Sequence, residues 1–127
     1  MASFYEGVLG LGRRFEMRIA QASVNRILGL PDDRSFHMVV YKGQGDGLVE
    51  VDVHDRELPA RASGAGRLPP GNCGLTLEGR GIDAILGRAG GWLKGGPASL
   101  AAPPYGGRRA ARLEGPSGEQ IEILEAE

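Results

Sequence analysis

The closing run "GPSGEQIEILEAE" constrains the fold of this chain more than any other stretch does. Residues 115–118 have the composition of a tight turn. After the turn, Ile121 and Ile123 alternate with Gln120 and Glu122. Because successive side chains of a strand point to opposite faces, the run predicts a strand with one face packed on a core. The other face then presents the carboxylate of Glu122, and a one-residue slip of register would bury that carboxylate.

A strand of the same design closes the first half of the chain. In "LVEVDV", Val49 and Val51 alternate with Glu50 and Asp52, and the segment "GQGDG" before it has the composition of a hairpin turn. The 22 glycines stand between periodic segments rather than in a repeat, which is typical of a strand-rich protein with short turns. Each half therefore ends in an alternating strand with a central carboxylate.

The elements that precede these two strands follow a similar order in both halves. Residues 4–54 predict a helix, a strand, an extra helix, a strand, a hairpin and a strand, and residues 74–125 predict a strand, a helix, a weak strand, a strand, a hairpin and a strand. This order indicates an α+β chain with two copies of a βαβββ unit, in which the first strand of the first copy is absent. We expect one domain, with unit one at about 1–57, a linker at about 58–71 and unit two at about 72–127.

Composition excludes several classes of protein. The net charge of −1 carries no electrostatic footprint for nucleic acid, and no apolar run approaches the roughly 20 residues of a membrane-spanning helix. The start of the chain lacks the basic and apolar regions of a signal peptide. The single cysteine, Cys73, excludes an intrachain disulfide and favours the cytoplasm. Arg108 and Arg109 are predicted to be solvated, with contact between one of them and an anionic substrate as the alternative.

Several short motifs together indicate a known family. The segment "FYEGVLGL" at residues 4–11 resembles an FY-x-x-x-LGL helix, and "GPSGEQIEI" at residues 115–123 resembles a DPDGN-x-IEL hairpin. Between them, "LPDD" and "LVEV" stand where an inserted helix and a fourth strand are expected. In these motifs and in their order, essentially the whole chain resembles the vicinal oxygen chelate superfamily, which includes glyoxalase I, bleomycin-resistance proteins and extradiol dioxygenases.

The resemblance implies a half-open cup of mixed sheet, with helices on one sheet face and a ligand cavity on the other. Glu122 and Glu50 would then face the cup as metal ligands and catalytic residues; in a generic sheet, such carboxylates face solvent instead. The other two ligand positions fall at Gly74, or at Cys73 if the register slips by one, and before Met1. His54 lies about 13 Å from Glu50 at strand rise and cannot share an ion with it.

Four further residues are candidates for binding a ligand in this cup. His37 and Tyr41 come from one predicted strand, and Tyr105 and Trp92 are aromatic residues of the second half. The alternatives are a surface or hydrogen-bonded histidine and aromatic residues of the core or the rim. A complete set of metal ligands is missing, so zinc, nickel, iron or manganese is expected to bind weakly or not at all.

Three functions stay open from the sequence, and the first of them is favoured. The first is a metal-assisted lyase, isomerase, epimerase or dioxygenase that acts on a small oxygen-rich molecule. The second is a metal-free binding protein that sequesters a drug or a metabolite. The third is a degenerate member without a ligand. Since the absent first strand would leave an exposed sheet edge, we expect a homodimer.

Overall fold

The computed structural model describes residues 1–54 and 74–127, so Cys73 and the predicted linker lie outside the described residues. The helices are the N-terminal helix (Ser3–Val8), α1 (Ala22–Ile27) and α2 (Ile82–Ala89), with a short 3₁₀ turn at Gly90–Trp92. The strands are β1 (Gly12–Ala20), β2 (Ser35–Lys42), β3 (Leu48–Val53), β4 (Leu75–Gly79), β5 (Leu93–Ser99), β6 (Arg109–Glu114) and β7 (Gln120–Glu125). None of the helices in the described ranges is long and apolar enough to cross a membrane.

The described residues form two compact units, one of residues 10–54 and one of residues 1–9 together with 74–127. The second unit carries a four-stranded sheet in the order β4-β7-β6-β5. Its β4 and β7 are parallel, whereas the β6 pairings with β5 and β7 are antiparallel. Parallel neighbours need a long crossover connection, and α2 lies within the connection that follows β4. This is the βαβββ order that the sequence predicts.

One face of the four-stranded sheet forms the core of its unit. Ile121, Ile123 and Leu113 are 0–1% exposed on this face. Ile82 and Ala89, one at each end of α2, are fully buried, and α2 contacts both β7 and the N-terminal helix. The apolar spacing i, i+7 on one helix face explains why α2 presents both residues to the sheet.

The N-terminal helix belongs to this same unit, although the sequence pattern counted it with the first half. Phe4 is fully buried, and its ring lies 5.2 Å from that of Tyr5 and 5.1 Å from that of Trp92 in edge-to-face geometry. Arg88 of α2 donates to the carbonyl oxygen of Val8 from Nε at 3.2 Å and from Nη2 at 3.0 Å. A guanidinium therefore satisfies a carbonyl at the end of this helix, where no intrahelical donor is left.

The other unit is a three-stranded antiparallel sheet in the order β1-β2-β3. Asn25 of α1 is fully buried, and its Nδ2 donates to the carbonyl oxygens of Asp32 at 3.1 Å and Arg34 at 2.7 Å. These bonds hold the loop between α1 and β2. The described part of this unit has no counterpart of β4, so β3 lacks the parallel neighbour that β7 has there.

Candidate functional site

Glu122 lies at the centre of the four-stranded sheet, on the face opposite the core. Its neighbours in β7, Ile121 and Ile123, are buried on the core side, so the alternation of the strand directs the half-buried Glu122 to the other side. In the register of the sheet, Thr76 of β4 and Arg112 of β6 flank Glu122. We call the face that carries these three residues the Glu122 face.

Both carboxylate oxygens of Glu122 accept a hydrogen bond. The hydroxyl of Tyr105 donates to Oε1 at 2.9 Å, and Oγ1 of Thr76 donates to Oε2 at 3.2 Å. The structure thus brings together two of the residues that the sequence singled out, Glu122 and Tyr105. Thr76 was missed, and the parallel pairing of β4 with β7 is the signal that places it there.

The carboxylate of Glu122 also fixes the protonation of its tyrosine partner. The hydrogen bond to Glu122, and then the negative charge of Glu122, raise the pKa of Tyr105 above its ordinary value. Tyr105 therefore keeps its proton at neutral pH and acts as the donor of the pair. Its oxygen lone pairs stay available to accept a hydrogen bond from a third group.

Arg108 positions the loop that carries Tyr105. Its guanidinium donates from Nε to the carbonyl oxygen of Tyr105 at 3.0 Å and from Nη2 to that of Pro104 at 3.1 Å. Its Nη1 lies 2.8 Å from Oε1 of Glu78 on β4. One side chain thus ties the loop to the strand that also supplies Thr76, while 23% of the Arg108 side chain stays exposed.

Arg109 points to the opposite side of β6 and is also engaged. Its two terminal nitrogens bind the carboxylate of Asp83 at 2.9 and 2.5 Å, and Nη1 lies 3.7 Å from Glu125. The guanidinium lowers the pKa of Asp83 through this hydrogen bond. Arg109 therefore ties α2 to the sheet through an ion pair at the surface, with 34% of its side chain exposed.

Trp92, the second aromatic candidate of this half, packs on the ring of Phe4 in the N-terminal helix. Its side chain is 37% exposed. This packing matches the alternative interpretation of Trp92 as an aromatic residue of the core rim.

The candidates of the first half do not share one sheet face. Glu50 is paired with Val40 across β2 and β3, whereas Tyr41 is paired with Val49 and His37 with Val53. Directly paired residues point to the same side, so Glu50 lies on one face and His37 and Tyr41 lie on the other.

The surroundings of these three side chains differ as well. Tyr41 is 2% exposed, and Nε2 of His37 lies 3.8 Å from Oε2 of Glu16 on the neighbouring strand. Glu50 is exposed. A cavity lined by Glu50 would therefore exclude His37 and Tyr41 of the same sheet, and a cavity lined by His37 would exclude Glu50.

Asp52 is a titratable group that the sequence reasoning did not select. It lies on the same face as Glu50, and its Oδ1 is buried with no hydrogen-bond partner. Burial raises the pKa of this carboxyl, while the nearby His54 opposes the shift. The imidazole of His54 stacks on Phe36 with ring centroids 4.8 Å apart.

The donors around Glu122 do not fit a catalytic metal. A catalytic zinc normally has three protein ligands, and within residues 1–54 and 74–127 no group of three His, Cys, Asp or Glu side chains could hold an ion. The oxygens of Glu122 are already engaged by two hydroxyl donors. Gly74 offers no ligating side chain at the position where the resemblance implies one.

Comparison with known structures shows which fold this chain has. A glyoxalase family protein from Bacillus cereus superposes with a TM-score of 0.64 and 17% identity, covering 94% of this chain and 80% of its own. A member of the glyoxalase/bleomycin resistance protein/dioxygenase superfamily from Sphaerobacter thermophilus gives a TM-score of 0.52 and 22% identity over 98% of this chain and 84% of its own. No protein-family model and no curated protein matches the sequence.

The topology and these comparisons together define the fold. One unit contains a complete βαβββ order, the other contains a three-stranded sheet, and the chain is of the α+β class. Its fold is that of the glyoxalase/bleomycin resistance protein/dioxygenase superfamily. The resemblance that the sequence motifs indicate is thereby confirmed at the level of the fold.

Proposed function

We propose that the protein binds a small oxygen-rich molecule on the Glu122 face, with Glu122 and Tyr105 as its polar anchors. The hydrogen bond from the Tyr105 hydroxyl to Oε1 of Glu122 carries this proposal. The pair offers a charged acceptor next to a hydroxyl that can still accept, which suits a ligand hydroxyl that donates to either oxygen. Arg108 ties the loop that carries Tyr105 to Glu78 of β4.

The binding function needs no tightly held metal. Both carboxylate oxygens of Glu122 accept hydrogen bonds, one from Tyr105 and one from Thr76. The neighbours of Glu122 in the described unit supply no further ligands for an ion. The geometry therefore favours a metal-free binding protein over a metal-assisted lyase, isomerase or dioxygenase. Elemental analysis of the purified protein checks this point, and near-stoichiometric zinc, nickel, iron or manganese that survives dialysis would contradict it.

A thermal-shift screen of hydroxylated metabolites and antibiotics tests the binding proposal. A ligand at 100 times its dissociation constant stabilises the protein by about 2.7 kcal/mol, which corresponds to about 10 °C for a chain of this length. We expect Glu122→Gln and Tyr105→Phe to abolish most of the shift. Asp33→Asn, which removes an exposed carboxylate elsewhere, is the matched control. A ligand that raises the melting temperature of the unmodified protein and of all three variants equally would place the binding site elsewhere.

We also propose that the protein acts as a homodimer in the cytoplasm. The absence of a neighbour for β3 in the described part of the chain supports a second copy, since exposed sheet edges favour association. Phe15 and Met17 of the same sheet are 46% and 45% exposed. Light scattering at micromolar concentration should give twice the monomer mass, and a stable monomer would refute the dimer.

A further inference from the structure

A cavity of about 230 Å³ lies at the hairpin end of the four-stranded sheet. It is lined by Lys94, Arg112, Leu113, Glu114 and Gln120. Arg112 is directly paired with Glu122 in the sheet, and Gln120 is two residues before Glu122 in the same strand. Alternation places the side chains of Arg112, Gln120 and Glu122 on one face, so this cavity adjoins the Glu122 face.

The two cations of the cavity have no partner in the described ranges. Arg108 and Arg109 bind carboxylates, but no carboxylate of the described residues pairs with Arg112 or Lys94. Both side chains are exposed, which leaves their donors free for a ligand. A guanidinium and an ammonium that line one cavity can form a site for an oxyanion.

The carboxylate of the nearby hairpin is engaged within its own turn and with Tyr5. The carboxylate of Glu119 accepts from the Tyr5 hydroxyl at 2.5 Å and from the backbone N–H of Ser117 at 2.7 Å, so it is held within the turn. Glu114 is the one carboxylate among the lining residues. Two cations and one carboxylate leave the lining with a net positive charge, and the amide of Gln120 adds a neutral donor.

We propose that the cavity is a subsite for the anionic group of the ligand, a carboxylate or a phosphate, held by Lys94 and Arg112 next to the hydroxyl-binding pair Glu122 and Tyr105. The inference rests on the proposed function, because it assigns that ligand to the class of small hydroxylated anions. Paired strand residues lie about 5 Å apart and alternate residues of one strand about 7 Å apart. A ligand with a backbone of a few atoms can therefore reach both groups.

Titration of ¹⁵N-labelled protein with inorganic phosphate at low ionic strength tests the subsite. We expect the amides of Lys94, Arg112 and Gln120 to shift along one saturable curve in the millimolar range. Lys94→Gln and Arg112→Gln should each weaken phosphate binding by about tenfold, the usual effect of losing one charge-assisted bond. All these side chains apart from the half-buried Gln120 are exposed, so the substitutions should leave folding intact.

Two further variants are expected to change phosphate binding in the opposite direction or not at all. Glu114→Gln should tighten phosphate binding severalfold, because it removes the carboxylate that opposes the anion. Arg80→Gln removes one exposed cation beyond the opposite end of β4 and should change nothing. Equal weakening by Arg80→Gln and Arg112→Gln, weaker binding by Glu114→Gln, or shifts that never saturate would overturn the subsite.

Comparison of inorganic phosphate, glycerol 3-phosphate and glycerol separates this inference from the proposed function. We expect glycerol 3-phosphate to bind more tightly than phosphate, and Glu122→Gln and Tyr105→Phe to remove the difference. If glycerol 3-phosphate gains nothing over phosphate, the anion subsite holds and the hydroxyl-binding function is wrong. If glycerol binds through Glu122 while phosphate does not bind, the function holds and the subsite is wrong.

Discussion

Substitutions at Ile123 and Glu122 test whether β7 has a core face and, opposite to it, the Glu122 face. Ile123 is 1% exposed and is paired with Leu77 of β4 and Ala111 of β6. Ile123→Ala removes buried carbon atoms beneath the helices and leaves a cavity, which costs about 2–5 kcal/mol. Ile123→Val removes one methylene at the same position and should cost about 1 kcal/mol.

Glu122→Gln changes the adjacent residue without disturbing the core. The amide oxygen of Gln can still accept from Tyr105, and the half-buried position exposes the new group to water. The change in the free energy of unfolding should therefore stay within about 1 kcal/mol. At about 2.1 cal/mol/K of unfolding entropy per residue, 127 residues give roughly 4 °C of melting temperature per kcal/mol. Ile123→Ala should thus lower the melting temperature by about 8–20 °C, and Glu122→Gln by less than about 4 °C.

Urea unfolding followed by circular dichroism measures these differences directly. The m-value should be the same for all variants, so that midpoints report stability alone. A Glu122→Gln protein as unstable as Ile123→Ala would show that the carboxylate of Glu122 stabilises the sheet. The interpretation of the Glu122 face as a binding site would then be refuted. An Ile123→Ala protein no less stable than Ile123→Val would show that this side of β7 is not the core.

Three further predictions concern ionisation and loop order. Spectrophotometric titration should give Tyr105 a pKa above the ordinary tyrosine value, and Glu122→Gln should bring it back; an unchanged value would contradict the hydrogen-bonded pair. Because the folded state raises the pKa of Asp52, stability should fall as pH rises from the ordinary carboxyl pKa through the raised one, so Asp52→Asn should stabilise the protein at neutral pH and gain nothing well below that window. Arg108→Gln should weaken ligand binding as Tyr105→Phe does and increase hydrogen exchange at residues 102–107, whereas Arg80→Gln should do neither.

Alternation was sufficient to predict how β7 is oriented. Ile121 and Ile123 can be buried only if Glu122 points the other way, and this choice depends on neighbouring residues of one strand. The pairing register of β2 with β3 could not be predicted in the same way. Whether Glu50 shares a face with His37 depends on where the two strands pair, and the pairing of Lys42 with Leu48 fixes that across the loop. Loop geometry sets hairpin register, and the sequence "GQGDG" is compatible with more than one.

The partners of Tyr105 were even harder to predict from the sequence. Tyr105 follows two prolines in a glycine-rich segment without periodicity, so no pattern predicts which side of the sheet it reaches. Its position depends on Arg108, whose carboxylate partner Glu78 is 30 residues away. Such contacts arise only when the strands have been assembled, and charge patterns along the chain favour a solvated arginine instead.

The two carboxylates that the sequence pattern treats as equivalent have different environments in the two units. Glu122 has a strand neighbour on each side and two hydroxyl donors. Glu50 is exposed, has a strand neighbour on one side only, and has no hydrogen-bond partner in the described residues. A carboxylate becomes a binding group when its neighbours orient it and hold its charge. The complete βαβββ unit supplies Thr76 through β4 and Tyr105 through the loop before β6. The described part of the shorter unit has no strand beyond β3 and leaves Glu50 without such donors. The repeated pattern therefore predicts a repeated strand, while the site belongs to the complete unit.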